Sequence, residues 1–348
     1  MRANLEILLC GEQEKNKWDA FVDNTQTATI CHHFLWQRVI ESAYKHQAFY
    51  LLAQDQGQVL GVLPLVLVRS RLFGSSLTSM PFLDYGGVCT EHEDVRAALV
   101  RRAQLLMHEH TVDCVELRQR APTGTDGTVR LDKVGMVLDL SPGIEALWTG
   151  LPAKTRNQVR KAQKSGLTVV SGGGELLEEF YAVFVENMRD LGSPVHHKLF
   201  FTRMFEQFGE QVRLFVVRDD HQAVGGLVCL FFRDTVTVPW ASSLRRYSSK
   251  CPNNMLYWEA LEYACERDYR RFDFGRSSVD SGTYAFKKQW GAKPVQVYWQ
   301  LLSRAPERKS VAFAAHEVKY KIVIEAWKRL PVPVTIILGP AIRRYLTN

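Results

Sequence analysis

The stretch from Phe272 to Pro294, FDFGRSSVDSGTYAFKKQWGAKP, combines a strand, a polar loop and a helical segment in one short run. The apolar pattern at Phe272–Phe274 predicts a buried strand. Arg276 stands just past the carboxyl end of this strand, where a guanidinium can reach a cleft and bind an anionic group through two hydrogen bonds. A structural salt bridge is the alternative role for this side chain.

The elements before this stretch repeat the order found in the first half of the chain. In each half the apolar patterns predict two strands around an Asp-containing turn, then a long helix and a short strand. Three residues of the two turns align at a constant offset of 164: Asp55, Gln58 and Gly61 with Asp219, Gln222 and Gly225. One such repeat indicates duplicated domains, with generic hairpin chemistry as the alternative.

The composition of the chain is that of an ordinary globular protein and excludes wholesale disorder. Its 348 residues are 46% hydrophobic and 23% charged, and the length predicts two domains. The first ten residues lack the pattern of a signal peptide, and no apolar run approaches the ~20 residues of a membrane-spanning helix. We therefore expect a cytoplasmic protein. The seven cysteines form no C-x-x-C pair and are predicted to be free thiols.

Positive charge is concentrated in two places. From Arg304 to the C-terminus there are nine Lys or Arg against three Glu, a balance of +6 out of the net +7. A second group of cations lies between Glu145 and Glu175, where the sequence has no acid: Lys154, Arg156, Arg160, Lys161 and Lys164. Such clusters attract phosphate, nucleic acid or anionic lipid, and a solvated helix face is the alternative.

These patterns predict an α/β (α+β) fold divided into three parts. The first domain is expected over residues 1–143 and ends at the turn-forming Ser141-Pro142-Gly143. The second, over residues 144–305, is expected to contain the active site. Residues 306–348 are expected to form a helical tail.

Several motifs of the chain, taken in order, resemble the FemABX peptidyltransferase family, and more closely the FemAB-related proteins of PEP-CTERM/exosortase systems. The motifs are Ser79–Gly87 (SMPFLDYGG), Lys154–Ala162 (KTRNQVRKA), Leu256–Ala260 (LYWEA), Phe272–Ser277 (FDFGRS) and Thr283–Gly291 (TYAFKKQWG). The resemblance covers about Phe34 to Leu302 and implies two tandem GNAT-like acyltransferase domains. It also implies transfer of an acyl or aminoacyl group to an amine.

The resemblance places specific residues at the reaction. Lys287 matches the family's Phe-Lys position at the reaction centre, where a cation polarises the donor carbonyl or holds phosphate, and Phe286 packs beside it. Arg156 and Arg160 share a helix face in the region where a basic residue of FemABX proteins binds precursor phosphate. A solvated helix end is the structural alternative for Lys287.

The acceptor implied by the family is a cell-envelope, peptidoglycan or exopolysaccharide precursor. The donor stays open between aminoacyl-tRNA, an acyl carrier protein and acyl-CoA, and no tightly bound cofactor is expected. CoA-dependent GNAT enzymes hold pyrophosphate on a glycine-rich loop at a helix start. The corresponding loop here, residues 244–252 (LRRYSSKCP), has no glycine, which weighs against a standard acetyl-CoA site.

Amide formation also needs a base and groups that orient the substrate. Asp84 precedes Gly86-Gly87, where a carboxylate at a strand end can accept a proton or hold an ammonium group; an Asx turn is the alternative. The remaining candidates for substrate contact are Tyr85, Trp240, Tyr257 and Asp280. A place in the core is the alternative for the aromatic ones. No His, Cys or carboxylate spacing suits a metal, and none is expected.

The tail ends in an apolar segment with basic flanks. Leu330–Ile342 contains three prolines and is too short to span a bilayer, but Lys328-Arg329 and Arg343-Arg344 border it. This composition favours a segment lying in the interface of an anionic membrane, with a tail packed on the second domain as the alternative. The oligomeric state is not predicted. A non-catalytic, membrane-associated assembly factor is the competing function.

Overall fold

The computed structural model describes residues 2, 4–122, 127–304 and 323–347. The α-helices are α1 (Lys15–Asn24), α2 (Leu35–Tyr44), α3 (Glu93–Glu109), α4 (Ile144–Gly150), α5 (Ala153–Lys164), α6 (Leu177–Asp190), α7 (Lys198–Phe208), α8 (Pro252–Glu266), α9 (Gly282–Lys288) and α10 (Val332–Arg343). The predicted helical tail over residues 306–348 lies partly outside the described residues, and within the described part residues 323–328 and α10 are helical.

The strands form two separate sheets, which confirms the predicted mixed α/β class. The strands are β1 (Leu5–Cys10), β2 (Gln47–Asp55), β3 (Gln58–Ser70), β4 (Gly74–Thr78), β5 (Cys89–Thr90), β6 (Cys114–Gln119), β7 (Thr128–Arg130), β8 (Lys133–Asp139), β9 (Leu167–Gly172), β10 (Val212–Asp219), β11 (Gln222–Phe232), β12 (Thr235–Ser243), β13 (Arg271–Ser278), β14 (Lys293–Gln296) and β15 (Tyr298–Ser303).

The two sheets have the same topology. The first has the order β1-β2-β3-β4-β6-β15-β7, with β5 paired to β3, and the second has the order β14-β8-β13-β12-β11-β10-β9. In each sheet one parallel pair, β4 with β6 and β12 with β13, follows a run of antiparallel neighbours. A long helix, α3 or α8, connects the strands of each parallel pair, as a parallel connection requires.

The repeat predicted from the turn residues is present in the structure, and both copies share the same β-bulge. Each first hairpin pairs its Asp with its Gln, and each has one extra residue at the same place in the alignment, next to Gly61 in β3 and Gly225 in β11. A Cβ on Gly61 would lie 2.8 Å from Val95 of α3, and one on Gly225 would lie 3.1 Å from Leu256 of α8. Glycine therefore lets the long helix pack closely on its sheet in both halves.

The chain divides into two compact units whose limits differ from the predicted boundaries. Unit 1 contains residues 1–132, 296–317 and 343–348, and unit 2 contains residues 133–295 and 318–342. The reason is an exchange of strands. β8 leaves the first half and pairs with β13 of unit 2, while β15 leaves the second half and pairs with β6 of unit 1. A boundary near residue 143 cannot account for this exchange.

Each unit has its own apolar core. In unit 2 the core lies between the sheet and helices α5 and α8, and in unit 1 between the sheet and α3. All seven cysteines are free thiols, five of them buried, as the irregular spacing predicted. Within the described residues no helix is long and apolar enough to cross a membrane.

Candidate functional site

In unit 2 the two parallel strands separate and form a fork. β12 pairs with β13 only from Thr235–Thr237 to Arg271–Asp273, although β12 continues to Ser243 and β13 to Ser278. We call the opening beyond Thr237 and Asp273 the unit 2 fork. Among the described strands no other one pairs with β12 on that edge, so backbone groups of both strands border the opening.

Both strands of the unit 2 fork bend where they part. β12 has an extra residue at Val238-Pro239 relative to β11, and β13 has one at Phe274-Gly275 relative to β8. Gly275 adopts a φ of 74°, a conformation that glycine reaches without steric cost. Bulges of this kind increase twist and redirect strands, and they are common beside active sites. The two bulges therefore shape the opening.

Two side chains hold the bulge of β13 in place. The Asp273 carboxylate accepts a hydrogen bond from the Gly275 N–H at 2.8 Å, within the buried interior. The Lys287 ammonium, from α9, donates to the carbonyl oxygens of Gly275 and Arg276 at 3.0 and 2.8 Å, and this residue is only 8% exposed. The Lys287 ammonium thus lies at the fork and binds backbone carbonyls of the β13 bulge, while its role at the reaction centre stays a prediction.

An aromatic cluster lies beneath the bulge. Tyr257 of α8 stacks on Phe274 at 5.3 Å between ring centroids, and Phe286 packs against Tyr257 at 5.2 Å. Trp290, just after α9, packs against Phe286. Burial raises the pKa of the Tyr257 phenol well above its usual range, so this group stays protonated at neutral pH. Phe286 and Tyr257 therefore belong to the core under the fork.

The loop after β13 leads into α9. Arg276 is half-buried, and its carbonyl is one of the two that Lys287 holds. Asp280 is exposed and has a φ of 61°, which turns the chain towards α9. Ser281 then caps α9 by accepting from the Tyr284 N–H at 3.2 Å. The loop residues predicted from sequence thus lie directly downstream of the β13 bulge.

Two of the three cations in the loop at the start of α8 are paired with carboxylates, and the third, Arg245, is exposed. Arg246 pairs with Glu186, and Lys250 lies 2.6 Å from Asp219. The residue before α8 is Cys251, at a φ of 59°, where CoA-dependent enzymes have a glycine-rich loop. A side chain at this position and two neutralised cations make the loop a poor cradle for pyrophosphate.

Exposed cations instead lie on α5, which packs against α8. Lys154, Arg160, Lys161 and Lys164 are exposed, whereas Val159 and Ala162 face the core. The Asn254 amide of α8 donates to Gln158 of α5 at 3.3 Å, so the basic helix is linked to the first turn of α8.

The two arginines predicted to hold phosphate have different surroundings. Arg156 donates to the Thr149 carbonyl at 2.8 Å and so caps the end of α4. The Arg160 guanidinium is exposed and lies 5.3 Å from the ring of Trp148. Arg160 is therefore better placed than Arg156 to meet a solvent-borne phosphate.

Trp240 lies on β12 beyond the point where the strands part. It is buried and packs against α7 and the residues before it, with ring centroids 5.2 Å from Phe201, 5.6 Å from Phe200 and 5.9 Å from His196. These contacts match the structural alternative considered for this side chain.

In unit 1 the corresponding strands, β4 and β6, also separate, but the segment that follows β4 covers the opening. β4 pairs with β6 from Ser76–Thr78 to Cys114–Glu116. The Ser79 N–H then donates to the Glu116 carbonyl at 2.8 Å, and the Gly87 N–H donates to the Arg118 carbonyl at 2.9 Å. The segment Ser79–Gly87 thus covers the free edge of β6. Asp84 is half-buried and Tyr85 is buried within this covering segment.

A buried arginine holds the covering segment of unit 1. Arg118, only 1% exposed, donates to the carbonyls of Met80 and Leu83 and to the Glu116 carboxylate. It also donates to the Thr347 carbonyl at 2.6 Å, which ties down the C-terminal residues. Its guanidinium lies 4.3 Å from the ring of Trp299.

Sequence reasoning missed two residues of these forks. Asp273 was part of a motif without an assigned role, although an Asp two residues before a Gly is the signal for a side-chain-to-backbone turn. Arg118 lies in the short strand predicted after the long helix of the first half, and no local signal shows that its guanidinium donates to three carbonyl oxygens. Within the described residues, no group of three or more His, Cys, Asp or Glu could hold a metal ion.

Comparison with known proteins agrees with this topology. Residues 153–288 match the acetyltransferase (GNAT) domain family. The structure of FemX superimposes with a TM-score of 0.66 at 15% identity, over 85% of this chain and 97% of that one. The chain has a FemX-like tandem GNAT fold. This confirms the fold expected from the motifs, while membership of the PEP-CTERM group stays a prediction.

Two other solved structures share the tandem GNAT fold. A tandem GNAT protein from the clavulanic acid biosynthesis pathway has a TM-score of 0.55 at 14% identity, over 85% of this chain and 97% of that one. L-PGS from Bacillus licheniformis has a TM-score of 0.57 at 11% identity, over 96% and 97%. The sequence matches no curated protein significantly. The GNAT match supports an acyltransferase and leaves the substrates open.

Proposed function

We propose that this tandem GNAT protein is an N-acyl- or aminoacyltransferase that forms an amide on an amine of a cell-envelope, peptidoglycan or exopolysaccharide precursor. The observation that carries the proposal is the unit 2 fork, which lies inside the matched GNAT domain. A second candidate donor class, acyl-CoA or an acyl carrier protein, is kept because GNAT folds serve such donors.

The unit 2 fork supplies what acyl transfer needs from a backbone. An extended donor group lying between β12 and β13 can add to a strand edge through main-chain hydrogen bonds. Backbone N–H groups at a bulge are fixed before the reaction, and such donors stabilise the oxyanion that forms on the donor carbonyl. Pro239 has no N–H, so an amide donor from the β12 bulge must come from a neighbouring residue.

The surroundings of the fork favour a donor larger than acetyl-CoA. The α8 loop lacks glycine and its Arg246 and Lys250 are already paired with carboxylates. Four further exposed cations lie on α5, next to the start of α8. A row of solvated cations is suited to the regularly spaced phosphates of a nucleic acid. These features support aminoacyl-tRNA as the donor over a CoA thioester.

The structure refines the roles proposed for individual residues. We propose that Lys287 positions the β13 bulge and, through it, Arg276. We propose that Arg276 binds an anionic group of the substrate and that Asp84, in unit 1, accepts a proton or holds an ammonium group. The exposed cations of α5 support an acceptor that bears phosphate.

A transfer assay with two donors tests the proposal. The full chain is incubated with UDP-linked muramyl pentapeptide as acceptor and with either aminoacylated total tRNA or acetyl-CoA, and the acceptor mass is measured. We expect a gain of one aminoacyl residue with tRNA. Acetylation alone would select the acyl-CoA alternative, and no transfer from either donor to this acceptor would contradict the proposal in this form.

A matched pair of arginines on β13 provides the control. Arg276→Gln is expected to lower transfer at least ~tenfold because one charge-assisted contact to the substrate is lost. Arg271→Gln removes an exposed arginine from the same strand, where it pairs with Asp234 at 2.7 Å, and should leave transfer unchanged. Equal activity of both variants would remove Arg276 from the site. Full complementation of a deletion strain by the inactive variant would favour the assembly-factor function.

A further inference from the structure

The outward face of α10 consists only of apolar side chains. On the helix, Thr335 and Gly339 are buried, and a Cβ on Gly339 would lie 2.9 Å from Val195. The opposite side shows Val334, Ile337 and Leu338, which are 36%, 74% and 46% exposed. These three residues are spaced i, i+3 and i+4 and therefore form one stripe. A helix packed on a protein core normally presents polar groups on this side.

The position of α10 is fixed from within unit 2. Gly339 allows close backbone contact with Val195, and Arg189 donates to the Leu330 carbonyl just before the helix at 3.3 Å. Pro331 and Pro333 restrict the backbone of the first turn. The stripe is therefore held outward by a packed inner face.

Basic residues flank the stripe on both sides, and one of them, Lys328, is paired with Glu325 at 2.6 Å. From Ala326 to the C-terminus the sequence has no Asp or Glu. The cations in this span are Lys328, Arg329, Arg343 and Arg344. Arg329, one turn before α10, is exposed. Apolar side chains flanked by an excess of cations complement a surface that is apolar below and anionic above, which is the composition of an anionic bilayer interface.

We propose that the outward face of α10 is a docking surface for an anionic membrane. The helix lies along the interface, with Val334, Ile337 and Leu338 among the acyl chains and the flanking cations near lipid phosphates. At 12 residues it is ~18 Å long, too short to span a bilayer, so it binds from one side. This surface does not depend on the acyl chemistry of the unit 2 fork.

Vesicle co-sedimentation of the purified full chain tests the proposal. The probes are vesicles of pure phosphatidylcholine and vesicles with about one third phosphatidylglycerol, at low salt. We expect binding to the anionic vesicles, weaker binding to neutral ones and a decrease with added salt. The double variant I337S/L338S should lower binding at least ~tenfold because most of the inserted apolar area is lost.

Two controls separate docking from general effects. Leu105→Ser removes an apolar side chain that is 56% exposed on α3 of unit 1, and it should bind vesicles as the wild type does. Thermal unfolding should be unchanged in I337S/L338S because both side chains face outward. Wild-type protein that stays in the supernatant with anionic vesicles overturns the proposal. Light scattering that shows a dimer, lost in I337S/L338S and without vesicle binding, overturns it in favour of a second copy of the chain.

Discussion

The forks of the two units lie between corresponding strands of the same order, but only the fork of unit 1 is covered by a segment of the chain. In unit 1 the segment Ser79–Gly87 hydrogen-bonds along the free edge of β6, and neither β4 nor β6 has an extra residue relative to its antiparallel neighbour. In unit 2 both β12 and β13 have a bulge at the point of separation. The duplicated fold thus has one fork covered by its own chain and one that is open, and for this reason we propose that the donor site lies in unit 2.

Each fork also depends on one buried cation, used in a different way. Arg118 fastens the covering segment and the C-terminal residues of unit 1. Lys287 fastens the bulge of β13 in unit 2. If this contrast is correct, loss of Arg118 should loosen unit 1 without removing the donor site, and loss of Lys287 should deform the donor site itself.

The largest effect is expected from Arg118→Met. The change leaves the Glu116 carboxylate and the carbonyls of Met80, Leu83 and Thr347 without this donor in a buried place. Breaking a buried pair in this way costs about 3–5 kcal/mol, to be measured by denaturant unfolding. Arg102→Met, at an exposed pair with Glu109, should cost less than about 1 kcal/mol. If Arg118→Met lowered the free energy of unfolding by a similarly small amount, the closure of the unit 1 fork would not depend on Arg118.

Acid should weaken unit 1 through His32. This buried side chain hydrogen-bonds the Gly87 carbonyl, and burial lowers its pKa to about 4. The pKa of His32 in the folded protein lies below the ordinary value near 6.5. The neutral His32 therefore makes its full contribution to the free energy of unfolding above pH 6.5, and this contribution falls as the pH drops towards 4. The loss over this interval is about 3 kcal/mol, checked by unfolding at successive pH values.

A substitution isolates the contribution of His32, since burial also lowers the pKa of His33 and His46. His32→Asn should flatten the pH dependence of unit 1 between pH 6.5 and 4 by about 3 kcal/mol relative to the wild type. An unchanged slope would show that His32 is not the group whose neutral form the closed fork requires.

Lys287→Met is expected to cost about 2 kcal/mol of stability and most of the transfer activity. Two carbonyls of the β13 bulge lose their donor, so the bulge relaxes and Arg276 moves with it. Lys288→Met, at the exposed neighbour, should change stability by less than about 0.5 kcal/mol and activity little. Loss of activity with full stability would contradict the positioning role and return Lys287 to direct contact with the substrate.

The smallest effect concerns the basic face of α5. Replacing Arg160, Lys161 and Lys164 with Gln should weaken tRNA binding by about tenfold at moderate salt. The slope of log K against log salt concentration should correspond to about three fewer phosphate contacts. Removing the same number of charges elsewhere, at Lys17, Arg102 and Lys198, serves as the control in a filter-binding assay. Equal weakening by both sets would mean that net charge and not the α5 surface attracts the nucleic acid.

The repeated elements could be predicted from the sequence because their signals are short runs of neighbouring residues. The Asp–Gln turns and the glycines beside them carry the alignment of the two halves, and the glycines are explained by the close approach of α3 and α8. The resemblance of its motif placed Lys287 at the reaction centre. Its role at the reaction centre stays a prediction.

Long-range pairing could not be predicted in the same way. The exchange of β8 and β15 joins residues more than 130 positions apart, and nothing within either strand specifies its partner. The closure of the unit 1 fork likewise depends on Arg118, which donates to carbonyls of two distant segments, one with Met80 and Leu83 and one with Thr347. Backbone acceptors have no sequence signature, so such a contact is visible only in the fold.

Hydrogen–deuterium exchange with bound donor tests the central claim most directly. The full chain is compared alone, with aminoacylated total tRNA and with acetyl-CoA. We predict that a productive donor slows exchange of the amides of residues 238–243, apart from Pro239, and of residues 274–278, while the covering segment Ser79–Gly87 and β6 of unit 1 are unchanged. Protection in unit 1 instead, or none at the unit 2 fork with either donor, would contradict the account.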